Sequence, residues 1–537
     1  MNQKNFKIKE LIELSSKEIQ KKNFKEAKGI LKDIILINPN IPKIHNNLGI
    51  INLNLGDFLE SVENFKKVKN LDPKFISSYC NLGLAYSKIG KEKLAIKNYL
   101  EAIDIDPKNY VANYNLGSLY KKKNQIKNAE QYLNIAIDLK PKMTQAYNNL
   151  FEIYDKSNQL EKFKELLFKA KLNINNDTIL DFFSGIYEFK KKNYLNTIKI
   201  FKKINLNDLD LKRIIVKNEI VAKSYDFIGN YEKAFNNFEC ANNSLKLFYN
   251  QKFDKEVYLN FLKKRINYFS KKNLEKWSDK KFVTKNNDPI FLIGFPRSGT
   301  TLLDTILRSH PSIEVLEEEP IIDEMINELE KEINNDFSKL ENLNGKLFNK
   351  IRNVYFSKRN KYLDYNKNKI YIDKLPLNIV NVAEIFRFFP NAKFIFALRN
   401  PYDVVLSCFM QIFSPNHAMS NFLNLNDTVR LYDMVMDLWI SYSNNLNIKF
   451  QTIKYESVIQ DFDKTIGNLL KFLELDWSDD VRNYTLTARN RGIINTPSYN
   501  QVNLPLYNKS INRWKNYEDK FLEFEEILNK WTIRFNY

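Results

Sequence analysis

The first half of the chain is patterned as a series of paired helices. Apolar residues follow helical spacing, and the pattern returns with a period of 34 residues, the interval from Leu48 to Leu82. The repeated positions are the leucines Leu48, Leu82, Leu116 and Leu150, the glycines Gly49, Gly83 and Gly117, and the prolines Pro39, Pro73, Pro107 and Pro141. Small residues let paired helices approach closely, and proline closes one unit before the next begins. The pattern therefore predicts an α-helical solenoid.

This period is that of the tetratricopeptide repeat (TPR). Later units diverge, because Phe151 stands at a glycine position and Phe163 at a small-residue position. Two further units are predicted around residues 183–198 and 224–234. The predicted domains are a TPR array at 1–245, a helical linker at 246–286 and a second domain at 287–537.

The second domain begins with a different pattern. The apolar run Ile290 to Ile293 predicts a buried strand, Gly294 to Gly299 a tight turn, and Thr300 to Ser309 a helix with an apolar face. Further strands are predicted at 369–372, 392–398 and 450–455. Strands that alternate with helices indicate an α/β fold, with a parallel sheet flanked by helices.

The turn between the first strand and its helix has the features of a phosphate-binding loop. Backbone N–H groups at the start of a helix converge on an anion, and the helix dipole favours negative charge. The spacing Gly294-x4-Gly299 is that of a P-loop, but Thr300 stands where nucleoside triphosphate-binding loops have lysine. The cation is Arg297 instead, whose planar guanidinium suits an anion with several oxygens.

This loop resembles the 5′-phosphosulfate-binding loop of sulfotransferases, which use 3′-phosphoadenosine 5′-phosphosulfate (PAPS). Its form is similar to that of the tyrosylprotein and TPR-linked bacterial branches. The resemblance implies a P-loop-like sulfotransferase domain that takes PAPS as donor and needs no metal. The loop residues that it implies for donor binding are Pro296, Arg297, Ser298, Gly299, Thr300 and Thr301.

An acidic cluster at 314–320 follows the loop helix. Such a cluster is often a solvated helix start. Transfer to a hydroxyl, however, needs a base for the hydroxyl proton. The tyrosylprotein enzymes have a Glu-Glu pair here, and the resemblance implies Glu318 as the general base, with Glu317 and Glu319 as rivals.

Three further positions, Lys374, Arg399 and Ser407, belong to the resemblance. Lys374, at the end of a predicted strand, contacts the transferring sulfuryl group in the family, and with Arg297 it would stabilise charge on the leaving phosphate. Arg399 ends the next strand, Asn400 breaks the chain, Asp403 is placed to cap a helix, and Ser407 follows within it. Arg399 and Ser407 resemble the pair that holds the donor's 3′-phosphate.

The C-terminal region contributes three weaker candidates. Tyr455 follows the last strand, either beside the donor or as a core aromatic. By resemblance, Ser498 reaches the sulfuryl group and Arg513 closes on the 3′-phosphate, with Lys509 and Lys515 as rivals for the second role.

Composition excludes several other classes. The net charge of +19 accompanies a general excess of Lys, Asn and Ile, without an Arg-rich arm, so nucleic acid is not an expected partner. Three dispersed cysteines fit a reducing compartment, and the presence of only three histidines argues against a His-based metal site. No signal peptide or membrane-spanning run is visible, which predicts a cytoplasmic protein.

Two alternatives remain beside the metal-free transfer of a sulfuryl group. A P-loop phosphotransferase would need the Gly-Lys-Ser/Thr ending, and a non-catalytic TPR scaffold would need only a ligand-binding second domain. The acceptor hydroxyl is open among protein tyrosine, glycan, lipid and small molecule. The TPR groove would hold a peptide or another partner through its asparagines, which either bind it or pack within the array: Asn47, Asn81, Asn115 and Asn149.

Overall fold

The computed structural model describes residues 2–174, 177–249, 252–277, 282, 288–363, 366, 368–490, 506 and 510–537. It divides into two compact units, Met1–Asp208 and Leu209–Tyr537. The predicted boundaries after residues 245 and 286 stay predictions about domains. The division into compact units comes earlier, between the sixth and seventh helical hairpins of the chain.

The first unit is an all-helical array, as the repeat pattern predicts. Its helices are α1 Asn2–Gln20, α2 Phe24–Ile37, α3 Pro42–Leu55, α4 Phe58–Leu71, α5 Ile76–Lys88, α6 Glu92–Ile105, α7 Tyr110–Lys122, α8 Ile126–Leu139, α9 Thr144–Lys156, α10 Leu160–Asn173, α11 Thr178–Lys190 and α12 Tyr194–Lys203. The solenoid fold predicted from the period is confirmed.

The repeated glycines explain how the two helices of a unit pack. A Cβ on Gly83 would lie 2.6 Å from Tyr99 Cε1, and a Cβ on Gly49 would lie 2.5 Å from Phe65 Cε1. In both units the glycine of the first helix makes room for a ring of the second. Where Phe151 replaces the glycine, its own ring stacks on Phe183 at a centroid distance of 4.4 Å.

The asparagines beside the repeat leucines serve partly within the array. Asn81 Nδ2 donates to Asn46 Oδ1 at 3.1 Å, and Asn149 Nδ2 donates to Ser118 Oγ at 2.9 Å. Asn47 and Asn115 are half-buried. Two of the four predicted contact residues thus link neighbouring repeats.

We expect Gly83→Ala to lower the free energy of unfolding by about 1–3 kcal/mol, because the added methyl collides with the Tyr99 ring. Gly29→Ala in α2 is the matched control, since no atom lies within 4 Å of its Cβ position. The control should raise stability by about 0.5–1 kcal/mol, because alanine favours the helix. Urea unfolding followed by circular dichroism measures both, and equal effects would contradict the packing explanation.

The second unit combines helices with one sheet. Its helices are α13 Leu211–Phe227, α14 Tyr231–Phe248, α15 Lys255–Tyr268, α16 Lys271–Glu275, α17 Thr300–Ser309, α18 Ile321–Ile333, α19 Gly345–Tyr362, α20 Val382–Phe388, α21 Pro401–Phe409, α22 Leu425–Asn445, α23 Tyr455–Gln460, α24 Phe462–Phe472, α25 Tyr484–Asn490 and α26 Glu525–Arg534. Its strands are β1 Ile290–Gly294, β2 Ile313–Glu317, β3 Ile370–Lys374, β4 Lys393–Leu398 and β5 Lys449–Lys454.

The five strands form a parallel sheet in the order β2-β3-β1-β4-β5. The chain fills one side of β1 and then crosses to the other, so the crevice for a ligand opens at the carboxyl ends beside β1. The sequence predicts four of these strands but not β2, whose acidic residues indicate a helix start. Ile313 and Val315 of β2 are buried, and Glu314 between them pairs with Lys369. This alternation is that of an edge strand.

The segment predicted as a linker packs into this unit through a buried ion pair. Arg265 of α15 donates to Glu384 of α20, and neither side chain is exposed to solvent. The Arg265 guanidinium also lies over the rings of Phe261 and Phe337, at 4.3 and 5.6 Å from their centroids. Removing one partner of such a pair leaves a buried charge uncompensated, at a cost of about 3–5 kcal/mol. Helix α15 is therefore a structural part of the sheet-containing unit.

Candidate active site

Close backbone packing fixes the loop between β1 and α17. A Cβ on Gly294 would lie 2.5 Å from the carbonyl oxygen of Ala397 on β4, so this position accepts only glycine. Gly299 has φ +90°, and a Cβ there would lie 2.8 Å from Tyr455 Cδ2. The two glycines that defined the motif thus permit one contact with the neighbouring strand and one with an aromatic ring.

The remaining loop residues predicted to bind the donor surround the start of α17. Ser298, Thr300 and Thr301 are buried. The Pro296 carbonyl accepts from Cys408 Sγ of α21 at 3.3 Å. The loop therefore rests on α21 on one side and opens into its own helix on the other.

Arg297 and Arg399 converge at this loop. Arg297 has φ +70°, a left-handed conformation that is costly for a non-glycine residue. Its Nε donates to Ser407 Oγ at 3.0 Å. Arg399 donates from Nη1 to the Arg297 carbonyl at 3.3 Å and from Nη2 to the Ser510 carbonyl at 2.5 Å. Three residues predicted from two separate motifs are thus brought into one cluster.

This cluster is suited to an anion. Arg399 is buried, and among the described residues its Nε–H has no hydrogen-bond acceptor. A buried guanidinium with an unmatched donor is costly unless a ligand satisfies it. The donor set therefore fits the phosphate groups that the sequence predicts.

Tyr455 packs directly on the loop. Its ring contacts the Gly299 position, and the Arg399 guanidinium lies 5.0 Å from the ring centroid. The sequence is compatible with either a donor contact or a core aromatic at Tyr455. The structure places Tyr455, half-buried, against the loop between β1 and α17, where it supports the Arg399 side chain by a cation–π contact.

A second charged cluster lies at the carboxyl ends of β2 and β3. Lys374 has no exposed side-chain surface, and its Nζ lies 2.7 Å from Glu318 Oε1, 3.5 Å from Glu317 Oε1 and 3.9 Å from Asp304 Oδ2. The Glu318 N–H also donates to the Lys374 carbonyl at 2.7 Å. The predicted base and the predicted sulfuryl-binding lysine are thus direct partners.

Glu318 differs from its two rivals. Its φ is +53°, the second strained non-glycine residue of the site, and 38% of its side-chain surface is exposed. Glu317 ends β2, and Glu319 contacts Tyr362. Glu318 therefore combines access to solvent with direct contact to Lys374.

Helix α21 begins differently from the prediction. Its cap is Asn400, whose Oδ1 accepts from the Tyr402 and Asp403 N–H groups at 3.1 and 3.4 Å. Asp403 does not cap the helix. Its carboxylate instead accepts from the backbone N–H groups of Asn512 and Trp514, at 2.7 and 2.9 Å. Asp403 thereby fixes the C-terminal segment beside Arg399.

The two C-terminal candidates have different outcomes. Ser498 lies outside the described residues, as does Lys509. Arg513 is described, and its Nη2 lies 2.7 Å from Asp226 Oδ2 of α13. Lys515 is exposed. Arg513 thus belongs to the segment fixed by Asp403, and a carboxylate already holds its side chain.

Asp304 and Asp226 are two site residues that the sequence motifs do not predict. The only sequence signal for Asp304 is a carboxylate inside the apolar helix α17, where it is fully buried and accepts from Arg308 Nε at 3.0 Å. Asp226 has no such signal, because it lies in the least regular repeat. His310, in contrast, accepts from the Ser312 N–H at its Nδ1 and contacts the Asp476 carbonyl at its Nε2, which is a structural role.

Two absences hold within the described part of the chain. No group of three or more His, Cys, Asp or Glu side chains there is arranged to hold a metal ion. No helix among the same residues is both long and apolar enough to cross a membrane.

The comparisons identify both parts of the chain. Residues 289–479 match the sulfotransferase family, and residues 42–75, 76–109 and 98–131 match tetratricopeptide repeat models. The chain is a TPR-repeat protein with a sulfotransferase-family domain, which confirms the resemblance predicted from its motifs. The family match supports a transferase function of the sulfotransferase type.

Individual relatives are more distant. An uncharacterized protein of Aquifex aeolicus (strain VF5) is 28% identical over 313 residues, which cover 56% of this chain and 39% of that protein. This chain thus spans well under half of that relative's length. Among solved structures, MamA from Desulfovibrio magneticus RS-1 is 25% identical, with a TM-score of 0.28 over 30% of this chain and 93% of its own. A tetratricopeptide repeat protein from Parabacteroides merdae is 19% identical, with a TM-score of 0.35 over 44% and 93%.

A buried carboxyl group on β3 generates a pH prediction. Burial raises the pKa of Asp373 to about 7. The unfolded carboxyl ionises near pH 4, so between about pH 4 and pH 7 the folded state binds the extra proton and stability falls as pH rises. We expect Asp373→Asn to gain stability relative to wild type over this range, by at most about 1.4 kcal/mol per pH unit.

Urea unfolding at a series of pH values measures this difference. Asp463→Asn is the control, because hydrogen bonds from Arg482 lower the pKa of that exposed carboxyl. The control should gain no stability as pH rises. A flat difference between wild type and Asp373→Asn would contradict the prediction.

Proposed function

We propose that this protein transfers the sulfuryl group of PAPS to an acceptor hydroxyl, with Glu318 as general base. The observation that carries the proposal is the contact between Lys374 and Glu318 at the carboxyl edge of the sheet. The same domain holds a P-loop-like turn in which Thr300 stands at the lysine position and Arg297 supplies the cation. A cation and a base in contact beside a phosphate loop are the groups that sulfuryl transfer to oxygen requires.

The donor supplies an activated sulfuryl group on a phosphate. The loop N–H groups and Arg297 would bind its 5′ side, while Arg399, Ser407 and Arg513 would bind its 3′-phosphate. The unmatched Nε–H of Arg399 supports this assignment. Tyr455 would keep Arg399 in place from the other side.

Glu318 and Lys374 would act together on the transferring group. The acceptor hydroxyl loses its proton to a Glu318 carboxylate oxygen as its own oxygen bonds to sulfur. The bond between sulfur and the 5′-phosphate oxygen breaks, and Arg297 and Lys374 stabilise the charge left on that oxygen. The products are a sulfate ester and adenosine 3′,5′-bisphosphate. Ser498 stays a candidate for the same role as Lys374.

Charge balance explains how the Lys374 ammonium group can break its contact with the Glu318 carboxylate. Lys374 is surrounded by three carboxylates, those of Glu318, Glu317 and Asp304. If its Nζ turns towards the sulfuryl group, the other two acids remain near its positive charge. Glu318 then becomes available as a base. TPR repeats commonly bind proteins, so the array would hold the acceptor or a separate partner.

We expect adenosine 3′,5′-bisphosphate to raise the melting temperature of the wild-type protein more than ADP or ATP does, without added metal. The 3′-phosphate should account for the difference, because Arg399 has an unmatched donor. Arg399→Ala should lose this preference. Arg482→Ala, which removes an exposed arginine paired with Asp463, is the control and should keep it. Equal shifts with ATP in the wild type would favour a phosphotransferase, and no shift would favour a scaffold.

We expect Glu318→Gln to keep its affinity for the bisphosphate and lose turnover by about 100-fold or more, the usual contribution of a general base. Turnover is measured as release of bisphosphate from PAPS with a panel of phenolic, peptide and sugar hydroxyls. Glu314→Gln, which removes a carboxylate of β2 that pairs with Lys369, should remain active. Loss of turnover in Glu317→Gln or Glu319→Gln, but not in Glu318→Gln, would reassign the base.

A further inference from the structure

Helices α13 and α14 form the last hairpin of the predicted repeats, and they pack against two distant segments of their own compact unit. The first is the end of α21. Asn242 of α14 is buried and donates from Nδ2 to the Phe409 carbonyl at 3.0 Å. Phe235 stacks on the Phe409 ring at a centroid distance of 4.7 Å. Phe409 lies two residues after Ser407, so the hairpin supports the helix that carries this side chain.

The second segment is the 3-10 helix Arg513–Lys520. Asp226, at the end of α13, uses both carboxylate oxygens there. Oδ2 lies 2.7 Å from Arg513 Nη2, and Oδ1 accepts from the Tyr517 hydroxyl at 2.6 Å. The Tyr517 ring is buried and packs on Tyr231 of α14. Asp226 therefore fixes both the direction of the Arg513 side chain and the helix from which it extends.

The chain that leads into this 3-10 helix also contacts Arg399 and Asp403. Arg399 donates to the Ser510 carbonyl, and Asp403 accepts from the N–H groups of Asn512 and Trp514. Backbone contacts thus hold the main chain on both sides of Arg513 beside Arg399. Among the described residues, the Arg513 side chain makes no hydrogen bond to the backbone, and its ion-pair partner is Asp226.

We propose that Asp226 is a positioning residue for the donor's 3′-phosphate, acting through Arg513. This inference rests on the proposed function, and it makes the last repeat hairpin a part of the donor site. Asp226 touches neither donor nor acceptor. It keeps the Arg513 guanidinium oriented, with N–H groups left for the phosphate, because a carboxylate occupies only part of the five-donor fork.

Titration calorimetry with adenosine 3′,5′-bisphosphate and with adenosine 5′-phosphate tests the proposal on the full chain. Asp226→Asn should weaken bisphosphate binding by about tenfold, the effect of losing one charged hydrogen-bond partner, and leave 5′-phosphate binding unchanged. Glu232→Gln, which removes an exposed carboxylate from the same hairpin, is the control for net charge and should change neither affinity.

Three further results decide between explanations. Asp226→Asn should add nothing in an Arg513→Ala background, since both act on one contact. If Asp226→Asn weakens the binding of both nucleotides equally, Asp226 has a purely structural role. If it tightens bisphosphate binding, Asp226 competes with the phosphate for Arg513. Either result overturns the proposal. If Asp226→Asn fails to fold, Tyr517→Phe replaces it and should give a smaller, still 3′-phosphate-specific loss.

The wild-type measurement separates this inference from the function on which it rests. Equal wild-type affinity for the two nucleotides would overturn both. A wild-type preference for the bisphosphate that persists in Asp226→Asn would overturn the role of Asp226 alone.

Discussion

Lys374 is a lysine with no exposed surface, and a buried ammonium group is tolerated only when opposite charge compensates it. Three carboxylates supply that compensation, from β2, from the turn after it and from α17. Their convergence requires that β1, β2 and β3 end at the same edge of the sheet. The parallel order of these strands is thus a condition for burying the charge. The proposed chemistry uses the same arrangement, because the lysine that needs compensation is the group that would meet the sulfuryl oxygens.

The loop between β1 and α17 and its arginine neighbours also carry an energetic cost. Arg399 is buried with one N–H group unmatched, and Arg297 is held with a left-handed backbone. Both features cost free energy in the ligand-free protein. Glu318 shares the left-handed conformation. Two left-handed residues and one unmatched donor thus lie among the residues proposed to bind and react, and the packed sheet with its surrounding helices provides the stability to maintain them.

The last helical hairpin, α13 and α14, shows that the sequence repeats and the compact units have different boundaries. By periodicity α13 and α14 continue the repeats, but by contact they belong to the unit that contains the sheet. The buried pair of Arg265 and Glu384 similarly attaches α15 to that unit. A catalytic segment cut at the start of β1 would lose both supports. The family match, which begins at residue 289, is therefore shorter than the compact unit that holds the proposed site.

The sequence alone determined the features that depend on neighbours along the chain. The 34-residue period predicted the solenoid, and Gly294 and Gly299 predicted the tight turn between β1 and α17, because helix pairing and tight turns follow local spacing. Motifs also named Arg297, Arg399 and Ser407, which the fold brings together. Tertiary structure alone decided the rest. Four features depend on contacts between residues far apart in the chain. They are the edge strand β2, the Asp304 carboxylate beside Lys374, the anchoring role of Asp403 and the pairing of Asp226 with Arg513. Such contacts depend on how the strands and helices pack, which no local pattern encodes.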